Sequence, residues 1–219
     1  MVRYKLIIFD LDGTILNTLD DLTDSLNYAL DKSGYPLHTL EEVRSFVGNG
    51  IRKLIERGVP AGTNTESIDN VHRDFTEHYK IHCADKTKPY NGILELLNTL
   101  RECGCKTAVV SNKADYAVQE LCIKYFTNLF NVSVGERSGI LKKPSPDSVN
   151  EVIRQLKTNK EDVVYIGDSD VDIATAQNAG IDSIIVDWGF RERDYLKKMG
   201  AKVIVSNTDE IKKIILNEK

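Results

Sequence analysis

Asp10 and Asp12 stand two residues apart at the end of an apolar run over residues 4–9 and lead into Gly13-Thr14. A short continuous apolar run closed by a turn signal reads as a buried strand of a parallel sheet. Sites in such sheets form beyond the carboxyl ends of the strands. Two carboxylates at this spacing repel each other, and burying them unpartnered is costly. A divalent cation with hard oxygen ligands, Mg²⁺ first, would relieve the conflict. The plain alternative is a strand followed by a polar Asp-Gly turn. Three further stretches place polar groups after apolar runs or at loop starts. In Val110-Ser111-Asn112-Lys113 a hydroxyl at a strand end, beside a helix start, suits an anion; capping of that helix is the alternative. Lys142-Lys143-Pro144-Ser145-Pro146 offers a cation for crowded carboxylates and a transferring anionic group, or only a solvated loop charge. Gly167-Asp168-Ser169-Asp170-Val171-Asp172 carries three acids in five residues after a strand, a metal signal. Acid enrichment in the first turn of a helix explains Asp170 and Asp172 well but Asp168 poorly.

These groups need elements to hold them. Leu19, Leu22, Leu26, Tyr28 and Leu30 can share a broad face of a helix over 18–33, ended by Gly34 and Pro36. Thr39 caps a second helix over 39–47, with Glu41 and Glu42 in its first turn. Val47-Gly48-Asn49-Gly50 is a turn, 51–59 another helix, 60–64 a loop and 67–84 a long polar helix. No strand pattern occurs over 16–86. From residue 92 on, strands at 106–111, 131–134, 163–166, 183–187 and 202–205 alternate with helices. Such alternation implies right-handed crossovers and a doubly wound parallel sheet. The expected fold is α/β: a Rossmann-like core of residues 1–15 and 87–219, with an inserted all-helical domain of residues 16–86. Hinges are expected near 14–17 and 86–89, where the chain crosses between the two.

The pattern Asp10-x-Asp12-Gly13-Thr14 after an apolar strand resembles the first motif of the haloacid dehalogenase superfamily. Ser111 resembles the second motif. The lysine directly before Pro144, which is Lys143, resembles the third, K-P-x-P. Gly167-Asp168-Ser169-x-x-Asp172 resembles the fourth, G-D-S-x-x-D. The four occur in order, and the resemblance spans essentially the whole chain. Asn17 departs from the pattern, where Asp is frequent, but lies outside the catalytic set. The resemblance implies a sheet order of 3-2-1-4-5 with later strands at that edge, which brings Asp10 beside Asp168 at the switch point. It implies that Asp10 is a nucleophile forming an aspartyl-phosphate and that Asp12 is the general acid and base. Lys143 is implied to be catalytic and, with Ser111 and Asn112, to hold the substrate phosphate. The implied cofactor is Mg²⁺, held by Asp10, the backbone carbonyl of Asp12, Asp168 and, often through water, Asp172. Superfamily ATPase pumps carry Thr where Asp12 stands, so a phosphatase or phosphomutase is implied rather than a pump.

The helical insertion resembles the cap of the phosphoglycolate phosphatase-like subgroup, which closes over the site and selects the substrate. Val47-Gly48-Asn49-Gly50-Ile51-Arg52-Lys53 resembles that subgroup's cap loop. Turn amides at Gly48, Asn49 and Gly50, with Arg52, are expected to receive a substrate carboxylate; the alternative is an interhelical turn with a solvated Arg52. The expected function is Mg²⁺-dependent hydrolysis of a small phosphate monoester, 2-phosphoglycolate first. A pyrophosphatase, a sugar-phosphate phosphatase or a phosphomutase could share every catalytic residue. Outside enzymes, a phosphate-ligand sensor on this fold is the alternative, although a sensor has no use for Asp12.

A chain of 219 residues can bury a full core. Its 41% hydrophobic and 28% charged content are ordinary for a globular protein. The net charge of −4, with acids and bases interspersed and no basic stripe, argues against a nucleic-acid partner. No stretch approaches the roughly 20 apolar residues that span a bilayer. The first residues run straight into a strand without a signal peptide, so a cytoplasmic location is the expectation. The expected partner is a small phosphorylated metabolite, the assembly a monomer or homodimer. Cys103-x-Cys105 has no second pair, and the cysteines read as reduced structural thiols. His78 and His82 are at i, i+4 but lack the Glu of a metalloprotease helix, and they read as exposed or packed helix residues.

Overall fold

A strand covered on both faces has no use for alternation, and Leu6–Phe9 (β1) is buried at every position. The computed structural model describes residues 2–217. The chain forms two compact units, one built from the chain up to Leu16 and from Pro89 on, the other Asn17–Lys88. After β1 come β2 (Leu16–Asn17), α1 (Leu19–Lys32), α2 (Leu40–Phe46), α3 (Ile51–Gly58), α4 (Thr65–His82) and β3 (Lys88–Pro89). The remainder is α5 (Ile93–Glu102), β4 (Lys106–Ala114), α6 (Asp115–Tyr125), β5 (Val132–Glu136), α7 (Asp147–Gln155), β6 (Val163–Gly167), α8 (Asp170–Ala179), β7 (Asp182–Val186), α9 (Arg193–Lys198), β8 (Ile204–Val205) and α10 (Thr208–Leu216).

The first unit is a six-stranded parallel sheet in the order β5-β4-β1-β6-β7-β8. Numbered by appearance in this sheet, the strands run 3-2-1-4-5-6, the expected order with the later strand at the expected edge. Alternate residues share a face of a sheet. Leu6 and Ile8 of β1, Ala108 and Val110 of β4, and Val163 and Tyr165 of β6 accordingly form one buried cluster with Val149, Val152 and Ile153 of α7 and Ala176 and Ala179 of α8. Ile173, Ile185 and Leu196 make a second cluster toward the β8 edge. β4 runs on past Ser111, where a strand end was expected, because Asn112 and Lys113 are themselves buried and find partners. Its pairing with β5 is irregular between Val110 and Ala114.

The second unit is the all-helical insertion. Leu19, Leu22, Leu26 and Leu30 line the buried side of α1, and Val71, Phe75 and Tyr79 that of α4, which packs along it. Tyr28, expected on the buried face of α1, is 47% exposed and stacks on His78. His78 in turn meets Ser25 Oγ at 3.0 Å and stacks on His82. Thr39 and Glu42 close a capping box at the start of α2, so this helix begins where its sequence says it should.

The two chain crossings, β2 and β3, pair as a sheet of their own. Two residues each are too few for a strand pattern to show in the sequence. Beside them, the buried Asp21 carboxylate accepts Lys86 N at 2.9 Å and Thr87 N at 2.8 Å, stapling the returning chain to α1. Hydrogen bonds to a buried charged group are worth about 1.5–3 kcal/mol. Asp21→Ala should lower the unfolding free energy by about that amount, read as a lower urea midpoint at unchanged slope.

Candidate active site

β1 and β6 run side by side with Phe9 opposite Ile166, and Asp10 N donates to Ile166 O at 2.8 Å. The residues just past both strands, Asp10 and Asp168, therefore emerge at the same sheet edge. On the other flank β4 pairs Val109 with Phe9 and carries Ser111, Asn112 and Lys113 past that level. Lys143 reaches the cluster from the loop before α7. Asp10, Asp168 and Asp172 are all buried, and each offers a carboxylate oxygen within 4.8 Å of the others.

Lys143 is the central cation. Its Nζ donates to Asp172 Oδ1 at 2.8 Å and to Tyr165 OH at 2.9 Å, and lies 2.9 Å from Asp10 Oδ1. That last approach is an ion contact without hydrogen-bond direction, so Asp10 Oδ1 is buried with no donor of its own. Asp172 is the opposite case. Its Oδ2 accepts Ser169 Oγ, Ser169 N and Asp168 N at 2.6, 3.1 and 3.2 Å, and Tyr165 OH stands 3.2 Å from its Oδ1. It also completes the capping box of α8 with Ser169. The first-turn reading of this acid and a place in the cluster are thus both realised.

Asp168 is held from the loop after β7. Phe190 N donates to Asp168 Oδ2 at 2.7 Å, and the Trp188 indole ties the same loop to Thr14 O at 3.1 Å. This closeness depends on glycine. Gly13 sits at φ +80°, and a Cβ there would collide with the Asp168 carboxylate and the Phe190 ring. A Cβ at Gly189 would strike Asp168 as well.

Asn112 and Lys143 lock together, Asn112 Nδ2 donating to Lys143 O at 3.0 Å and Lys143 N to Asn112 Oδ1 at 2.8 Å. The Asn112 side chain thus holds the Lys143 loop in place. Ser111 Oγ, also buried, accepts Lys113 N at 3.3 Å. Asp12 Oδ1 accepts Lys113 Nζ at 2.9 Å.

The electrostatics are those of crowded buried carboxylates. Burial pushes Asp10 up to about 7; Lys143 opposes the shift, and the Asp172 and Asp12 charges add to it. Burial, then Asp172 and Asp10, hold Asp168 well above the ordinary carboxylate range. Burial alone would lower the Lys143 ammonium, but Asp10 and Asp172 reverse that and keep it charged. One lysine leaves these acids under-neutralised. A donorless Asp10 Oδ1, hard oxygen ligands and carboxylates driven toward neutrality fit a divalent cation of the Mg²⁺ type.

Asp10, Asp12, Ser111, Asn112, Lys143, Asp168 and Asp172 are thus brought together at one sheet edge. Gly48, Asn49, Gly50 and Arg52 lie in the helical unit. Gly48 and Gly50 have φ of 119° and 84°, a turn that favours glycine. Arg52 has acidic partners within its own unit. It pairs with Glu56 at 3.1 Å and with Asp69 while its side chain stays partly exposed. Asn49 Oδ1 accepts Arg57 at 2.8 Å, which steadies the turn.

Sequence reasoning missed Tyr165, Lys113 and the Phe190 amide. A hydroxyl inside the apolar run 163–166 needs a buried partner, and a lysine continuing a buried strand needs a counter-charge. Those two signals were readable. A backbone amide leaves none.

Comparison with known proteins identifies the family and the fold. The sequence profile of the Haloacid dehalogenase-like hydrolase family matches residues 7–186. A phosphoglycolate phosphatase from Mesorhizobium japonicum is 31% identical over 212 residues, covering 94% of this chain and 92% of its own. A provisionally named pyrophosphatase from Caldanaerobacter subterraneus is 32% identical, covering 98% and 96%. The crystal structure of a provisionally named phosphoglycolate phosphatase from Lactobacillus delbrueckii superposes with a TM-score of 0.94 at 39% identity, covering 99% of this chain and 100% of that one. The chain belongs to the haloacid dehalogenase-like hydrolases. Within them it is a phosphatase of the phosphoglycolate phosphatase-like kind, acting on phosphorylated substrates. Among the described residues no helix is long and apolar enough to cross a membrane.

Proposed function

We propose that this protein hydrolyses 2-phosphoglycolate through an aspartyl-phosphate on Asp10, with Mg²⁺ as cofactor. The observation that carries the reading is Asp10 Oδ1: among the described residues it is the one buried carboxylate oxygen with no directed hydrogen bond. It sits at the sheet edge where sites form. Asp10 and Asp168, with the carbonyl of Asp12, would hold the metal; Asp172 supports them through Lys143 and the α8 start. When bound, Mg²⁺ supplies the charge that lets a phosphate dianion approach a carboxylate.

The chain's own residues do the rest. A carboxylate oxygen of Asp10 forms a bond to phosphorus as the bond to the ester oxygen breaks. Asp12 gives that oxygen a proton, then takes one from the water that hydrolyses the intermediate. Lys143, aimed by Asp172 and Tyr165, neutralises charge gathering on the phosphoryl group. Ser111 and backbone amides near Asn112 hold its oxygens. The helical unit, through its Gly48–Gly50 turn, is assigned to substrate selection. The unit boundaries 16/17 and 88/89 support treating it as a separate cap.

A pyrophosphatase is the second reading, favoured by the 32% identical relative that covers nearly the whole chain. Phosphate release from purified protein with Mg²⁺ distinguishes them, across 2-phosphoglycolate, pyrophosphate, sugar phosphates and nucleoside monophosphates. We expect kcat/KM for phosphoglycolate to lead the others by about tenfold or more, the range over which a few pocket contacts discriminate. Preference for pyrophosphate would move the assignment to the second reading, and turnover unaffected by a chelator would overturn the metal-dependent scheme.

A further inference from the structure

The cluster contains a second lysine that the scheme above leaves without a task. Lys113 is only 5% exposed, and Lys113 and Lys143 are the buried lysines among the described residues. A buried ammonium is costly unless it is paired in good geometry. Lys113 Nζ meets Asp12 Oδ1 at 2.9 Å with both side chains largely covered. The backbone of Lys113 is fixed as well. Its N–H donates to Ser111 Oγ, and the chain at Gly135 passes so close to its carbonyl that no Cβ fits there. Lys143 stands on Asp10 and Lys113 on Asp12, one lysine for each carboxylate of the Asp10-x-Asp12 turn.

We propose that Lys113 is a positioning residue for Asp12, aiming its carboxylate for the hydrolytic half of the cycle. The inference rests on the reading of Asp10 as nucleophile and Asp12 as acid and base. The halves make different demands on Asp12. When the aspartyl-phosphate forms, Asp12 must arrive carrying a proton for the leaving oxygen. When it is hydrolysed, water oxygen bonds to phosphorus, the phosphorus–Asp10 bond breaks with its electron pair returning to the Asp10 carboxylate, and the water proton passes to Asp12. Lys113 holds one of the Asp12 oxygens, and a carboxylate offers about four lone-pair directions, enough to keep that bond and take a proton. Lys113 thus orders the base of the second half and is dispensable where the leaving group needs no acid.

para-Nitrophenyl phosphate separates the halves, because its acidic leaving group departs without a proton. With it, kcat/KM reports formation of the intermediate and kcat its hydrolysis. Lys113→Met should lower kcat by about 10–100-fold, part of the 10²–10⁴ that a positioned base contributes, while kcat/KM stays within about threefold. A burst of nitrophenolate close to one per active site should precede the steady state. Lys113→Arg should recover part of kcat. In an Asp12→Asn background, where the unpaired carboxylate is gone and folding is least at risk, Lys113→Met should lower kcat no further. Equal falls in kcat and kcat/KM, no change in either, or a further fall in the Asp12→Asn background would overturn the proposal. Asp10→Asn in the same assay tells the two levels apart. If it turns over, the nucleophile reading fails. If it is dead and Lys113→Met shows no split, only the Lys113 assignment fails.

Discussion

Asp10→Asn loses phosphate release by about 10⁴-fold or more, yet in the absence of metal at pH 8 it unfolds at higher urea than the parent. The two halves of this result have one cause. The carboxylate that would attack phosphorus is buried beside Asp172 and Asp168, and its burial is unfavourable when it is charged. The amide has nearly the same shape and no nucleophilic oxygen of comparable strength, so covalent catalysis stops. It also has no charge to bury. The direction with pH follows from the raised carboxyl, held at about 7 in the fold against an ordinary 3.8. A group raised on folding contributes its full stability below its unfolded value and loses it as pH climbs through the folded one. Between about pH 4 and 7 the parent should therefore lose stability that Asp10→Asn keeps, up to about 4 kcal/mol. The gap should be widest at pH 8 and narrow toward pH 4. Urea unfolding in chelator across that range measures it. A variant no more stable than the parent at pH 8 would show that Lys143 already compensates the buried charge.

The second large effect is Lys143→Met. Methionine fills a similar volume but withdraws the positive charge that Asp10 and Asp172 share. Breaking a buried pair from one side usually costs about 3–5 kcal/mol, because the other charge is left uncompensated. Asp172 retains Tyr165, Ser169 and two backbone donors, but Asp10 Oδ1 retains no donor. Most of the loss should then run through Asp10. Two consequences separate this from simple cavity damage. The loss should be larger at pH 8 than at pH 5, since removing the lysine that restrains the Asp10 carboxyl lets it protonate sooner and shed the unpaired charge. Adding Asp10→Asn to Lys143→Met should restore more stability than it adds to the parent, a coupling of about 1–3 kcal/mol in a double-mutant cycle. Activity should fall as well, because the phosphoryl oxygens lose their neutralising partner.

Local signals reached a good part of this protein. The unbroken apolar run of β1 said that Asp10 and Asp12 follow a strand buried on both faces, and a carboxylate there stands where parallel sheets form sites. The change from helical periodicity to strand–helix alternation marked the inserted unit, because each period is a property of neighbouring residues. Thr39 announced its helix for the same reason, a cap being satisfied within a few residues. Tyr28 was misplaced because a broad apolar stripe on a helix does not say where the buried side ends.

Partner choice was not legible. Lys113 finds Asp12 at a separation of 101 residues, Lys143 finds Tyr165 at 22, and the Phe190 amide finds Asp168 at 22. Arg52, read either as a receiver of a substrate carboxylate or as a solvated turn residue, meets Asp69 from the next helix along. The residue types at the site, and which of them follow strands, belong to the sequence by itself. Which carboxylate keeps a donorless oxygen, which is enclosed by five donors and which lysine serves which acid was decided only by the tertiary structure. Periodicity constrains backbone neighbours, whereas a buried charge is settled by whatever opposite charge the packed sheet brings within about 3 Å of it.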